Sequence, residues 1–147
     1  MYDAFVAVHV AAAIVGFGAT FSYPVIQLYA ERRNRASIPF AMDAILAISR
    51  WVAVPATLVV GATGTYQVID GPYGLDDSWL GAGVVLYLAV MAVGVLYLAP
   101  CYRRAGLAAR AGCPHDYARA MRGPRVVGPA VASAILATAV LMVVKPG

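Results

Sequence analysis

The chain has 147 residues, of which 62% are hydrophobic and 12% are charged. A soluble domain carries about twice that charged fraction, so the composition excludes an ordinary soluble globular protein and indicates a lipid bilayer as the surroundings. The formal net charge of +4 would by itself also fit a nucleic-acid-binding protein. The arginines, however, flank apolar stretches and form no separate basic domain, so we expect no nucleic-acid partner.

Four apolar stretches are long enough to cross a bilayer, since a helical span needs roughly 20 residues. They cover residues 5–30, 44–69, 79–102 and 126–144. Together they use most of the chain, so the sequence predicts one all-α membrane domain over residues 1–147, an integral membrane antiparallel four-helix bundle. The N-terminus lacks the positive region of a signal peptide, and we interpret residues 5–30 as a retained first span.

The connectors between these spans alternate in charge. All ten arginines lie in or beside the first and third connectors, whereas Asp3, Asp70, Asp76 and Asp77 occupy the N-terminus and the second connector. Arginine and lysine concentrate on cytoplasmic loops of membrane proteins. The sequence therefore predicts a multi-pass membrane protein with both termini on the non-cytoplasmic side. Both cysteines fall on the cytoplasmic side, where thiols are normally reduced, so neither a disulfide framework nor a zinc site is expected.

Small and polar residues recur on one face of each of the first three spans, and in lipid such residues mark the faces where helices touch. The face of the first span consists of His9, Ala13, Gly16, Thr20, Tyr23 and Gln27. The face of the second span consists of Arg50, Val54, Thr57, Gly61 and Gly64. The face of the third span consists of Gly83, Tyr87, Val90, Gly94, Tyr97 and Cys101. These contact faces predict a tight bundle, in which Arg50 either extends to the membrane surface or pairs with Asp43.

Prolines stand inside all four spans, at Pro24, Pro55, Pro100 and Pro129. Membrane helices tolerate proline because neighbouring helices satisfy the carbonyls that it frees. One interpretation is that these prolines kink the helices and open room in the bundle. The other is that they are ordinary prolines of membrane helices.

The third connector, residues 103–125, is the longest. Its Cys113-Pro114-His115-Asp116 segment is typical of a helix start, with proline at the first position and an acid in the first turn. Gly123 is expected to end that helix. The connector therefore predicts a short interfacial helix that carries Arg119 and Arg122 along the membrane surface.

His9 is the only histidine inside a span, and an ionisable side chain at membrane depth is a functional hypothesis by default. Its imidazole suits a ligand of haem iron, copper or zinc, or a proton-transfer group; the alternative is a neutral histidine bonded to a neighbouring helix. Met142 lies at a similar depth and suits a second haem ligand or a simple gap-filler. Lys145 suits either a membrane-surface anchor or a counter-charge for an anionic group such as a porphyrin propionate.

The stretch from His9 to Pro24, which begins His-Val-Ala-Ala-Ala-Ile-Val-Gly-Phe-Gly, resembles a bacterial superfamily. That superfamily groups copper-resistance D membrane proteins, small haem-binding protoporphyrinogen oxidases of bacterial membranes and an uncharacterised family of predicted integral membrane proteins. Trp79-Leu80 and the closing segment 141–146 also resemble it, and the uncharacterised family most closely. The resemblance implies a four-helix bundle in the bacterial cytoplasmic (inner) membrane, with haem b as a cofactor for His9. In the oxidases a His and a Lys follow the Trp-Leu pair, whereas residues 81–83 here are Gly, Ala and Gly and supply no ligand or donor.

Three hypotheses for function follow. The first is a haem-binding or redox-related membrane protein in which His9 is a ligand or proton-transfer group. The second is a non-enzymatic accessory or assembly subunit, whose contact faces dock a second copy or a partner membrane subunit. The third is metal permeation of the copper-resistance type, with His9 as the metal ligand. Whether the chain is an enzyme stays open. A site is expected at the non-cytoplasmic end, where the four spans contribute His9, Asp70, Trp79, Met142 and Lys145.

Overall fold

The computed structural model describes residues 2–70 and 78–144. Four long helices account for almost all of them: α1 at Tyr2–Arg33, α2 at Arg35–Asp70, α3 at Ser78–Arg110 and α4 at Pro114–Val144. Each is long and apolar enough to cross a membrane, and no strand occurs in the two described ranges. The predicted all-α membrane helical bundle is thereby confirmed. Asp76, Asp77 and Lys145 lie outside the described residues.

The two ends of the bundle differ in packing. One end, formed by residues 30–45 and 102–125, is called here the arginine-rich end; the other, which contains His9 and the start of α3, is called the His9 end. The fully buried side chains of Met42, Ile45 and Met121 all lie at the arginine-rich end. They belong to an apolar cluster to which all four helices contribute, with Tyr23 from α1 and Tyr102 from α3. The hydrophobic core therefore sits toward the arginine-rich end.

Apolar side chains also cover the outside of the bundle. Ile14 is 68% exposed, Leu96 is 76% exposed and Val143 is 81% exposed. Water-soluble proteins rarely leave so much contiguous apolar surface uncovered, whereas lipid tails are themselves apolar. The exposed surface thus matches a bilayer, as the composition predicts.

Glycines bring the helices close together along the predicted contact faces. A Cβ atom at Gly16 of α1 would lie 3.1 Å from the Ala56 Cβ of α2, and one at Gly61 would lie 2.6 Å from the Tyr87 hydroxyl of α3. The buried residues of α1 are Gly16, Tyr23 and Gln27, which belong to the predicted face, and Ala30, which does not. At these positions the small-residue faces are therefore occupied by contacts within the chain, whereas a Cβ atom at Gly94 of α3 would meet nothing within 4 Å.

Both α2 and α3 contain a wide π-helical turn immediately before a proline. The turn in α2 spans Ser49–Ala53 and closes when the Val54 N–H donates to the Ser49 carbonyl, just before Pro55. The turn in α3 spans Val93–Leu98 and precedes Pro100 in the same way. A proline ring clashes with the carbonyl four residues earlier, and a π turn, with its i→i+5 bonding, moves that carbonyl away. The two π turns thus lie where they relieve the clash at Pro55 and Pro100.

The π turn in α2 also explains why one predicted contact is wrong. Arg50 was expected on the same face as Gly64, but it is exposed, and its guanidinium lies 5.7 Å from the centre of the Trp51 ring. The extra residue in the turn rotates the first part of α2 relative to the second, which breaks the 3.6-residue phase on which the prediction rests. Asp43 pairs instead with Arg110 of α3.

The third connector is a tight turn and not a separate interfacial helix. α3 continues to Arg110, and α4 begins at Pro114, as predicted, but runs without interruption through Gly123 to Val144. Gly112 has φ of +66°, and Cys113 donates its N–H to the Ala108 carbonyl at 3.0 Å, the pattern of a glycine-terminated helix. Gly123 does not end α4 because a glycine costs a helix only about 1 kcal/mol, and the ring of Tyr97 packs against it.

Candidate functional site

His9 forms a specific hydrogen bond between α1 and α2. Its Nδ1 atom lies 2.9 Å from the Thr63 hydroxyl oxygen, and that hydroxyl lies 2.6 Å from the Val59 carbonyl oxygen of its own helix. A threonine hydroxyl has one proton, and the carbonyl can only accept, so the Thr63 proton goes to Val59. In the tautomer that fits this arrangement, His9 Nδ1 carries the proton that bonds to Thr63, and Nε2 is the unprotonated ring nitrogen.

The residues around His9 make room for the ring and join the two helices. A Cβ atom at Gly64 would lie 3.2 Å from the His9 Cε1 atom, so glycine allows the imidazole to lie directly on α2. One turn farther out, the rings of Phe5 and Tyr66 stack with their centroids 4.1 Å apart. The Tyr66 hydroxyl donates to the Asp70 carboxylate at 2.5 Å. His9 is therefore held in a defined orientation by α2.

The other residues predicted for this site lie on different helices. Met142 of α4 packs on α3, where a Cβ atom at Gly83 would lie 2.6 Å from its terminal methyl group. Trp79 is buried at the start of α3, unlike Trp51, which is 74% exposed. The structure thus joins His9 to Thr63 and Met142 to Gly83, in two separate helix pairs. The prediction for Lys145 falls outside the described residues.

A cavity of about 110 Å³ lies between the four helices. Its lining residues are closer to the arginine-rich end than His9 is. Pro24 lines it, and so do the immediate neighbours of the other three prolines: Val54, Ala99 and Gly128. Residues of both π turns, including Ser49 and Gly94, also form its wall. One of the four prolines and a neighbour of each of the others thus border the free space. The residues predicted for the site do not include any that line the cavity.

Tyr23 is the notable polar residue of this cavity wall. Its side chain is 8% exposed, and its buried hydroxyl has no hydrogen-bond partner among the described residues. The hydroxyl of Ser49 is a polar neighbour, but the two groups do not meet hydrogen-bond geometry. Tyr23 was predicted on the contact face of α1, but a sequence pattern alone does not indicate which hydroxyl of such a face lacks a partner.

A polar cluster at the arginine-rich end fastens α1 to α4. One oxygen of Glu31 accepts hydrogen bonds from the Tyr117 hydroxyl at 2.6 Å, the Gln27 amide at 3.1 Å and the Arg125 guanidinium at 3.1 Å. The Glu31 side chain is only 20% exposed. Sequence reasoning missed this cluster, although the four-residue spacing of Gln27 and Glu31 is a signal for part of it.

The described residues contain no group of three or more His, Cys, Asp or Glu side chains that could hold a metal ion. Among these residues, His9 therefore belongs to no such group.

No curated protein and no solved structure is significantly similar to this chain. Residues 4–146 match the sequence model of one family, described as predicted integral membrane protein (DUF2269). That match covers nearly the whole chain and agrees with four apolar helices in one bundle. The chain therefore belongs to this family of integral membrane proteins.

Proposed function

We propose that the protein is a haem-binding or redox-related membrane protein in which His9 is the axial ligand or a proton-transfer group. The observation that carries the proposal is the hydrogen bond from His9 Nδ1 to Thr63. A histidine that ligates a metal usually donates its other ring N–H to a neighbouring acceptor, which selects the tautomer and orients the ring. Thr63 supplies that acceptor, and Nε2 is the atom left to ligate.

The donor set at His9 fits haem better than it fits a copper ion. Haem brings four nitrogen donors of its own, so a single protein imidazole is a sufficient axial ligand. A copper site built from protein ligands takes several, such as two histidines and a cysteine, and the described residues near His9 offer no such set. The resemblance of the His9 segment to haem-binding membrane proteins also supports this choice. When bound, haem b would supply one-electron chemistry, and Met142 and Lys145 remain proposed as further haem contacts.

The cavity near the arginine-rich end is not the proposed haem site. Its volume is about 110 Å³, and a cavity of about 150 Å³ binds a molecule the size of benzene, which is far smaller than haem. His9 is not among its lining residues. A haem on His9 would therefore lie elsewhere, and the two sites are independent.

The absorption spectrum of the purified protein, expressed in cells supplied with haem, tests the proposal. We expect a Soret band that is lost in His9→Ala and kept in His115→Ala, because His115 is an exposed histidine in the first turn of α4. Thr63→Val should keep the band but weaken haem affinity about 10- to 100-fold, as expected for the partner of a ligating histidine. A colourless wild-type protein would refute haem binding. Copper uptake by cells tests the alternative of metal permeation, and equal uptake with and without the protein would refute it.

We further propose that the arginine-rich end faces the cytoplasm of a bacterial cell, because arginines concentrate on cytoplasmic loops. The turn between α3 and α4 holds an exposed native thiol, Cys113, and Asp3 at the opposite end is also exposed. In a Cys101→Ala background, a membrane-impermeant maleimide should label Cys113 only after lysis. Asp3→Cys, in a protein that also carries Cys113→Ser, should be labelled on intact spheroplasts. The reverse pattern would overturn the orientation.

A further inference from the structure

We propose that the cavity between the four helices binds a ring-sized apolar molecule that enters from the bilayer and accepts one hydrogen bond from the Tyr23 hydroxyl. This inference concerns a different part of the bundle from His9 and does not depend on haem binding.

The hydroxyl of Tyr23 provides the first argument. Native proteins pair nearly all of their buried polar atoms, and leaving a buried donor without a partner costs stability. The Tyr23 hydroxyl is buried and unpaired among the described residues. By contrast, the hydroxyls of Thr20 and Thr57 in the same wall donate to carbonyls of their own helices, at 2.7 Å and 2.8 Å. Tyr23 is thus a buried phenol of the cavity wall whose hydroxyl is left to donate to a bound molecule.

The size and walls of the cavity define the kind of molecule. At about 110 Å³ it is smaller than the cavity of about 150 Å³ that holds benzene. Some adjustment of the walls is therefore needed even for one six-membered ring. The wall is mostly apolar, with side chains such as Phe17, Met91 and Ile135. A ring with a single carbonyl satisfies both the apolar wall and the Tyr23 donor.

The cavity also has a route to the bilayer. Phe21 and Val95 line it, yet they are 39% and 46% exposed on the outside of the bundle. Pro24 is likewise both a lining residue and exposed. These residues lie within the apolar stretches 5–30 and 79–102, so the opening faces lipid tails. A lipid-soluble molecule can therefore reach Tyr23 without crossing water.

The experiment compares two probes on the purified protein in lipid nanodiscs. Cyclohexanone carries one acceptor, and methylcyclohexane has a similar size and no acceptor. Binding is followed by ligand-observed NMR titration, with protein-free nanodiscs subtracted and affinities expressed per concentration in the lipid phase. We expect saturable binding of both probes, and an affinity for cyclohexanone about 2- to 10-fold weaker in Tyr23→Phe, the range for one net hydrogen bond. Tyr23→Phe should leave methylcyclohexane binding unchanged.

Three controls make the outcome specific. Tyr29→Phe removes a hydroxyl from an exposed tyrosine outside the cavity and should change neither affinity. Ala132→Leu adds volume to the cavity wall and should weaken both probes. His9→Ala should leave both affinities unchanged, which separates this proposal from haem binding. Equal cyclohexanone affinity in wild type and Tyr23→Phe would overturn the proposal, as would an absence of saturable binding, the result expected if the cavity holds only water.

Discussion

Replacing Thr63 with valine tests the contact on which the proposed role of His9 rests. Valine keeps the branched shape but removes the oxygen that lies 2.9 Å from His9 Nδ1. One hydrogen bond between membrane helices contributes about 0.6 kcal/mol on average and up to about 1.7 kcal/mol. The half-buried N–H of His9 also loses its acceptor, which adds part of a penalty of about 1–3 kcal/mol. We expect the free energy of unfolding to fall by about 1–2 kcal/mol, or about 5- to 30-fold in the unfolding equilibrium constant.

Equilibrium unfolding in mixed micelles with increasing dodecyl sulfate, followed by far-UV circular dichroism, measures this change. A double-mutant cycle with His9→Phe should give a coupling energy of about 0.6–1.7 kcal/mol between the two side chains. Thr65→Val is the matched control, because Thr65 is exposed and donates only to the Gly61 carbonyl of its own helix. It should change the free energy by less than about 0.5 kcal/mol. Equal losses in Thr63→Val and Thr65→Val, with no coupling to His9, would refute the hydrogen bond and the tautomer derived from it.

Three further predictions use the same unfolding assay. Gly16→Ala should destabilise the protein by about 1–3 kcal/mol because its new methyl group meets Ala56 at 3.1 Å. Gly18→Ala, which has nothing within 4 Å, should stabilise the protein by up to about 1 kcal/mol. A similar effect of both substitutions would contradict close packing of α1 on α2. Glu31→Gln should lower the free energy of unfolding by about 1–2 kcal/mol, because it weakens charge-assisted hydrogen bonds to a side chain that is only 20% exposed. No change would show that this cluster does not hold α1 to α4. Asp43→Asn should cost less than about 1 kcal/mol, because both members of its ion pair are half exposed, and a loss that persists in 1 M salt would count against a surface pair.

The two ends of the bundle differ in how they are held together. The residues that contribute most to stability therefore lie apart from His9. At the arginine-rich end, four helices share a buried cluster around Met42 and Met121, and Glu31 joins α1 to α4. At the His9 end, the described contacts join helices in pairs, such as Gly64 with His9 and Gly83 with Met142. Substitutions at the His9 end should therefore alter ligand binding with smaller losses of stability than substitutions in the arginine-rich core.

The sequence was sufficient to determine the membrane class, the number of spans and most of the contact faces. Apolar length decides whether a helix can cross a bilayer, and it is a local property that needs no knowledge of neighbouring helices. The small-residue face of α1 was also predictable, because helical periodicity places Gly16, Tyr23 and Gln27 on one side. In the structure these residues are buried.

Only the tertiary structure decided what those faces meet. The π turn at Ser49–Ala53 shifts the phase of α2, so Arg50 leaves the face that a regular helix assigns to it. The continuation of α4 through Gly123 depends on its packing against Tyr97 of α3. The pairing of His9 with Thr63 and the unpaired hydroxyl of Tyr23 depend on distances between helices. Such distances arise from residues far apart in the chain, so local patterns specify the spans, whereas three-dimensional packing specifies the partners and the cavity.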